Sequence, residues 1–513
     1  MQVGQRIALN AALMIAKQVV MAVLGVAFVG YLAREVGVGA WGEFQASLAL
    51  TAMVTVVAGI GVRGYLAREV AVQPELGPGH LGSALMIRGV SGAVLLGLTV
   101  VVALVAKPGL GATLVALAAA SQLATLLYST MWLTFEAHER MQYIAYAEIG
   151  ARLFVIGIAS ALLMFGYGII AAAAVFMVGN VVELGITYYF IRARFYRPEF
   201  GVSAADLLQI TRKSVPIGIL AALLTALSQA DRVVLRVLCD EEAVGVYSAA
   251  WVLSENFRMI PDIFLGASFA AGMRLYSDRE AFGGLYRGCM TAAAVLGLPI
   301  AAGVAVIAPD IIALIYGQGS GYGPASPVLQ ILVAQVPISF AFQVAALPLL
   351  ASRREVDLVK VLLTALVVNL VLDLLLVPRF RAVGAATATL LTTVLTLVLS
   401  LLMTTQWVRL VNPARLVANI LATGLMAVAA YGARELAGMW VAMGVGAVSY
   451  VALLIGLRAV SWEELRALLR RRPPAEASEP VVVQSAAVEP IAVEPPASHM
   501  PASARVAKRP AAV

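Results

Sequence analysis

Polar residues in this chain collect in short clusters. Between the clusters run apolar stretches of about 20 residues, each long enough to cross roughly 30 Å of hydrocarbon as a helix. Such runs fall at about 7–33, 42–63, 82–105, 110–134, 143–165, 169–191, 214–238, 246–271, 287–308, 326–350, 357–377, 383–405, 414–433 and 438–458. They predict an all-α polytopic membrane protein with about 14 transmembrane helices. Composition agrees, since 61% of the 513 residues are hydrophobic and 13% charged, more apolar surface than a water-soluble fold can hide. The opening Met1-Gln2-Val3-Gly4-Gln5-Arg6 resembles a signal-peptide start, but the apolar run continues to about Leu32 without a convincing cleavage site, which makes it the first span.

Charge orients the bundle. Loops after even-numbered spans carry Arg63 and Arg68, Arg140, then Arg192, Arg194, Arg197, Arg212 and Lys213, then Arg274 and Arg279, Arg353 and Arg354, and Arg409. Loops after odd-numbered spans hold only Arg34, Lys107, Arg379, Arg381 and Arg434. By the positive-inside rule both termini are cytoplasmic, and the net charge of +7 reports topology rather than a nucleic-acid partner. Cys239, Cys289, His80, His138 and His499 form neither a disulfide framework nor a clustered metal-ligand pattern, so no metal and no cofactor is expected. Ser461-Trp462-Glu463-Glu464 is a capping box for a short helix ending in Arg470, Arg471 and Arg472, suited to lie on anionic lipid. From Pro473 the Pro-, Ala-, Val- and Glu-rich tail has no helical period and is expected to be disordered.

Residues 37–42, Gly-Val-Gly-Ala-Trp-Gly, match the G-x-G-x-x-G pattern of dinucleotide sites. An apolar span precedes them and no carboxylate follows about 20 positions later, so the pattern lacks its context. The alternative is a tight external hairpin in which Gly37 and Gly39 permit the turn, Trp41 anchors at the interface, and Gly42-x-Phe44 opens the second span. The same G-x-aromatic-x-Ala pattern returns at Gly245-Val246-Tyr247-Ser248-Ala249. Likewise His138-Glu139-Arg140 matches Ser352-Arg353-Arg354, and Gly168 to Ala174 matches Ala382 to Ala388. Both repeats start on one side, which predicts two parallel, pseudo-symmetric six-helix lobes around a central cavity, working by alternating access. The lobes would occupy 1–192 and 214–405, joined by a cytoplasmic connection at 193–213, with an extra helix pair at 406–460 and the short helix and tail at 461–513.

Ala33-Arg34, Gly39, Trp41-Gly42, Phe44, Gly59-x-Gly61 and Arg68-Glu69 resemble the amino-terminal pattern of bacterial polysaccharide transporters, the O-antigen-type lipid-linked oligosaccharide flippases of the multidrug/oligosaccharidyl-lipid/polysaccharide (MOP) superfamily. Asp231-Arg232, Gly245-Val246-Tyr247, Asn369, Pro378 and Val383-Gly384-Ala385-Ala386 resemble its carboxyl-lobe signature. The resemblance implies export of an undecaprenyl-diphosphate-linked oligosaccharide from the cytoplasmic to the periplasmic leaflet of the bacterial inner membrane. It implies lipid-linked glycan, membrane lipids and other polysaccharide assembly proteins as partners. The extra helix pair departs from the twelve-span pattern and resembles the lipid II flippase branch. A cation-coupled multidrug antiporter of the same superfamily and a membrane glycan polymerase or ligase are the alternatives. The short external loops, the longest at about 309–325 with Asp310 its one carboxylate, disfavour the enzyme.

Charges within spans cost roughly 2.5 to 3.5 kcal/mol each on insertion scales and need a partner or a wet cavity. Lys17 has no acidic residue near it in sequence; Arg88 either snorkels to the inner interface or binds substrate. Glu148 and Arg152, at i and i+4, either neutralise each other or face a ligand, with Glu183 in the next span. Trp251, Glu255, Arg258 and Asp262 share one stripe, as a salt-bridge ladder or a cavity lining, while Asp231-Arg232 is either an interfacial pair or part of a gate. Lys17, Arg88, Arg152 and Arg258 are the candidate ligands for diphosphate and glycan. Glu255, Asp262, Asp231 and Arg232 are the candidates for coupling or gating by a proton or Na⁺.

Overall fold

The structure, a computed structural model, describes residues 3–106, 109–201, 203–352, 354–408 and 412–457. The short helix and tail expected at 461–513 lie outside the described residues. The helices run in the order α1 (Val3–Val36), α2 (Val38–Gly59), α3 (Val62–Val72), α4 (Gly77–Ala106), α5 (Leu110–Ala137), α6 (Gln142–Met164) and α7 (Ile169–Arg194). They continue with α8 (Ala204–Leu238), α9 (Glu241–Leu275), α10 (Arg279–Tyr316), α11 (Ala325–Ala351), α12 (Glu355–Met403), α13 (Thr405–Val408), α14 (Pro413–Ala437) and α15 (Met439–Gly456). Among the described residues there is no strand.

Eleven of these helices are long and apolar enough to cross a membrane. One of the eleven, α12, makes two passes, because Arg381 takes φ 50° and ψ −128° and turns the chain back. Gly384 permits that turn, since a Cβ there would stand 2.7 Å from the Leu376 carbonyl carbon. Outside the eleven, α1 and α9 have comparable lengths of 34 and 35 residues and carry charges within their spans. All fourteen expected spans therefore fall on helix. The second is interrupted earlier than expected: α2 stops at Gly59, Ile60 is left-handed, and the separate α3 carries Arg63.

Helix is the solution lipid imposes, because each backbone group must find a partner within its own segment. Hydroxyls inside the bundle obey the same constraint. Thr51, Thr55, Thr130 and Thr396 donate to carbonyls one turn back, at 2.6–2.8 Å. The repeat is visible in the backbone: Arg140 N–H donates to the Phe135 carbonyl and Arg354 N–H to the Leu349 carbonyl, both at 2.8 Å, closing α5 and α11 with the same six-residue loop.

The two lobes, α1–α7 and α8–α12, share their core unequally. At the end where α1 turns into α2, here the hairpin end, Leu32, Trp41 and Phe44 of the first lobe pack in one cluster with Tyr247, Tyr316 and Tyr322 of the second. At the opposite, linker end the cores are largely separate, around Phe135 and Ile191 in the first lobe and around Phe282 and Trp407 in the second, and the lobes touch through α8, where Ile210 packs on the first core and Ser214 and Gly218 lie against Gly61. The molecule is thus closed at the hairpin end. Trp41 is 1% exposed, so it is a core residue and not the interfacial anchor the sequence suggested; the shared core covers it. The pair α14–α15 packs on α10, where Tyr450 donates to the Val295 carbonyl at 2.7 Å and Arg434 meets Asp310 at 2.5 Å.

Candidate functional site between and within the lobes

In the first lobe α1, α5, α6 and α7 enclose a polar focus. Lys17 donates from α1 to Glu148 of α6 at 2.6 Å and is 8% exposed, so it has an acidic partner 131 positions away that its sequence neighbourhood hides. Glu148 therefore serves Lys17 and does not pair with Arg152. Among the described residues no carboxylate lies within salt-bridge distance of Arg152, while Glu183 of α7 is buried with its Oε1 unpartnered. Arg88 does not snorkel to the interface. It lies between α2, α4 and α5, 9% exposed, donating to Thr130 Oγ1 at 2.6 Å and approaching Gly59.

Where the lobes meet, α8 lies along α2, and the neighbours Asp231 and Arg232 point apart, a consequence of about 100° of rotation per helical residue. They are deeply buried, 2% and 4% exposed, and do not form the interfacial pair considered from sequence. Arg232 stacks on the indole of Trp251 with its guanidinium carbon 3.9 Å from the ring centroid, and donates to Gln229 and to the Ser228 carbonyl. Gln45 of α2 reaches it at 3.5 Å. Further along α9, Arg258 pairs with Glu255 at 2.7 Å, leaving its Nε without a partner. The side chain of Asp262 lies outside the described residues.

Asp231 faces into the second lobe. Its Oδ2 accepts from Tyr247 and from Thr389 at 2.5 Å. Asp373 of α12, 0% exposed, is a neighbour of Asp231, and neither of its oxygens has a hydrogen-bond partner among the described residues. Asn369, one turn earlier and 1% exposed, leaves its Oδ1 unpartnered as well. Two facing carboxylates in a low-dielectric interior can share only a proton or a cation. The surrounding donors are all oxygen, the set that hard cations take. Sequence inspection overlooked Asp373. The available signal was Asn369-x₃-Asp373, two polar residues on one face of an otherwise apolar span.

The whole is a bundle of paired transmembrane lobes with charges held between and within them. Its fold matches a lipid II flippase, MurJ, in an inward closed conformation, with a TM-score of 0.71 at 14% identity over 88% of this chain and 99% of that one. It also matches a multidrug resistance MATE family transporter of the MOP superfamily, more closely inward-facing than outward-facing. The inward-facing form gives 0.63 at 12% identity, over 78% of this chain and 99% of that one. The outward-facing form gives 0.56 at 13%, over 80% and 97%. No curated protein matches the sequence. Residues 7–271, just over half of the chain, match the model of the polysaccharide biosynthesis protein family. The chain belongs to that family, and its candidate spans make it a multi-pass membrane protein with the fold of those transporters.

Proposed function

We propose that the protein flips an undecaprenyl-diphosphate-linked oligosaccharide from the cytoplasmic to the periplasmic leaflet of the bacterial inner membrane, with both termini cytoplasmic and the hairpin end outside. The observation that carries this reading is the set of guanidinium groups inside the bundle that carboxylates leave wholly or partly unmatched. Among the described residues Arg152 and Arg232 have no carboxylate within salt-bridge distance, and Arg258 has an unpartnered Nε beside its bond to Glu255. A diphosphate entering a bundle whose lobes share one core at the hairpin end and keep largely separate cores at the linker end supplies the missing charge, and Arg binds it in bidentate fashion. In this reading Arg152 and Arg258 hold the diphosphate and Lys17 joins them on leaving Glu148. Arg88, held against Thr130 behind α5, keeps α2, α4 and α5 together. Asp231 and Asp373, with Asn369 and Thr389, take the coupling proton or Na⁺.

A lipid-linked peptidoglycan precursor is the second reading, favoured by α14–α15, since the likeness to the lipid II flippase extends over 99% of that chain. The test uses intact cells making the glycan. Arg152→Ala and Arg258→Ala, both present in the membrane at normal levels, should leave lipid-linked repeat units facing the cytoplasm and cut surface glycan at least about tenfold. Normal surface glycan in both variants refutes the assignment. Normal glycan with peptidoglycan precursor accumulating shifts it to the second reading.

A further inference from the structure

We propose that the hairpin end closes through a crossing of bare backbone at Gly42 and Gly245, so that a single methyl at either glycine holds the protein open on that side. These are the two residues that open the sequence repeat, and in the structure they meet each other. A Cβ on Gly42 would overlap the Glu241 carbonyl oxygen and stand 2.7 Å from Gly245 N. A Cβ on Gly245 would overlap the Val38 carbonyl and stand 2.8 Å from Val38 Cγ1. Both obstacles are backbone or the first atoms of a stiff β-branched chain, so neither can rotate away. At the neighbouring Gly39 a Cβ would find only Glu242 Cγ, at 3.9 Å.

Three further ties cross the same end. Arg236 of α8 reaches Glu43 of α2 at 2.5 Å and Glu241 at 2.9 Å. Gly30 of α1 lies under Ile315 with no room for a Cβ. The loop after α10, Gly317-Gln318-Gly319-Ser320-Gly321-Tyr322-Gly323, folds back so that Tyr322 donates to the Ala33 carbonyl at 3.1 Å and stacks on Tyr316 at 4.7 Å. Gly317, Gly319 and Gly321, at φ between 76° and 86°, give that strap its path. The ion pair and the hydrogen bond can break and reform without change of shape. The glycine crossing tolerates nothing larger than hydrogen, and it decides whether the lobes can meet.

The proposal goes beyond the substrate assignment, and only its sidedness rests on the topology given above. Gln45 lies one turn inside Gly42, 7% exposed. In a protein with Cys239 and Cys289 replaced by Ser, the single thiol of Gln45→Cys is exposed to a membrane-impermeant maleimide in intact cells and in inverted vesicles. Gly42→Ala or Gly245→Ala should raise its reaction rate about tenfold from one face, and Gly39→Ala should leave it unchanged. A gain from either face supports the crossing, and the face that gains reports where the hairpin end lies. No gain from either face overturns it. If the glycine variants do not fold, a short bifunctional thiol reagent joining Gly39→Cys to Glu242→Cys, with Gly42 and Gly245 intact, must stop turnover until cleaved. Unimpaired export by the bridged protein overturns the proposal.

Discussion

Asp373 and Lys17 show how a buried charge is judged by what surrounds it. Lys17 looked unpartnered because its acid lies on another helix, 131 positions away, and a single sequence carries no record of that distance. Asp373 drew no attention, yet it is a fully buried carboxylate facing another. If the pair holds the coupling cation, Asp373→Asn removes the second negative charge while keeping the shape. It should abolish the dependence of flipping on the H⁺ or Na⁺ gradient in proteoliposomes; undiminished gradient dependence would exclude the pair. The chemical type of the site, cations and carboxylates inside membrane helices, was legible from single positions. Which charges neutralise one another was not, because that is a property of packing.

Individual helices were the most legible level, since span length and hydropathy are local. Turns were less so. Pro378 and Gly384 flank the break expected between the spans at 377 and 383, but the positive φ falls on Arg381, which is neither, and the turn is held from outside by the ion pair of Arg381 with Asp240. Asp240 does double duty, also capping α9 by accepting from Ala243 N–H at 2.9 Å. That backbone hydrogen bond, and Arg381 after it, hold the Asp240 carboxyl below its ordinary pKa. A depressed folded pKa means the stabilisation is complete above the ordinary carboxylate value of about 4 and is lost as pH falls through the folded one. Asp240→Ala should therefore cost about 1 kcal/mol near neutral pH. The gap should close in acid, as read from thermal unfolding in detergent at both pH values. A deficit independent of pH would mean the loss is one of packing.

Across the whole molecule, the lobes fuse into one core at the hairpin end and keep largely separate cores at the other, where α8 alone crosses onto the first lobe among the described residues, while α14–α15 stand apart on α10. Lipid tails are as apolar as the α10 surface this pair covers, so removing it exposes Val295 and Ala302 at little cost. A chain ended after Val408 should insert, remain monodisperse in detergent, and keep Gln45→Cys protected, with the loss confined to glycan export; aggregation would show that the pair supports the lobes. The parallel repeat predicted this two-lobed plan but not its closed end, because a repeat specifies symmetry and says nothing of which conformation the halves adopt. One consequence follows from the back-to-back placement of Asp231 and Arg232. Their Cα atoms are fixed one residue apart, so no rigid-body rocking alters that spacing, and a twist of α8 about its own axis moves both side chains against their surroundings without translating the helix. Such a twist displaces the two side chains together, like throws on a crankshaft. If Asp231 takes the coupling cation, its occupancy reaches Trp251 and Gln45 through that crank, and swapping second lobes between relatives would carry both ends of it as one unit.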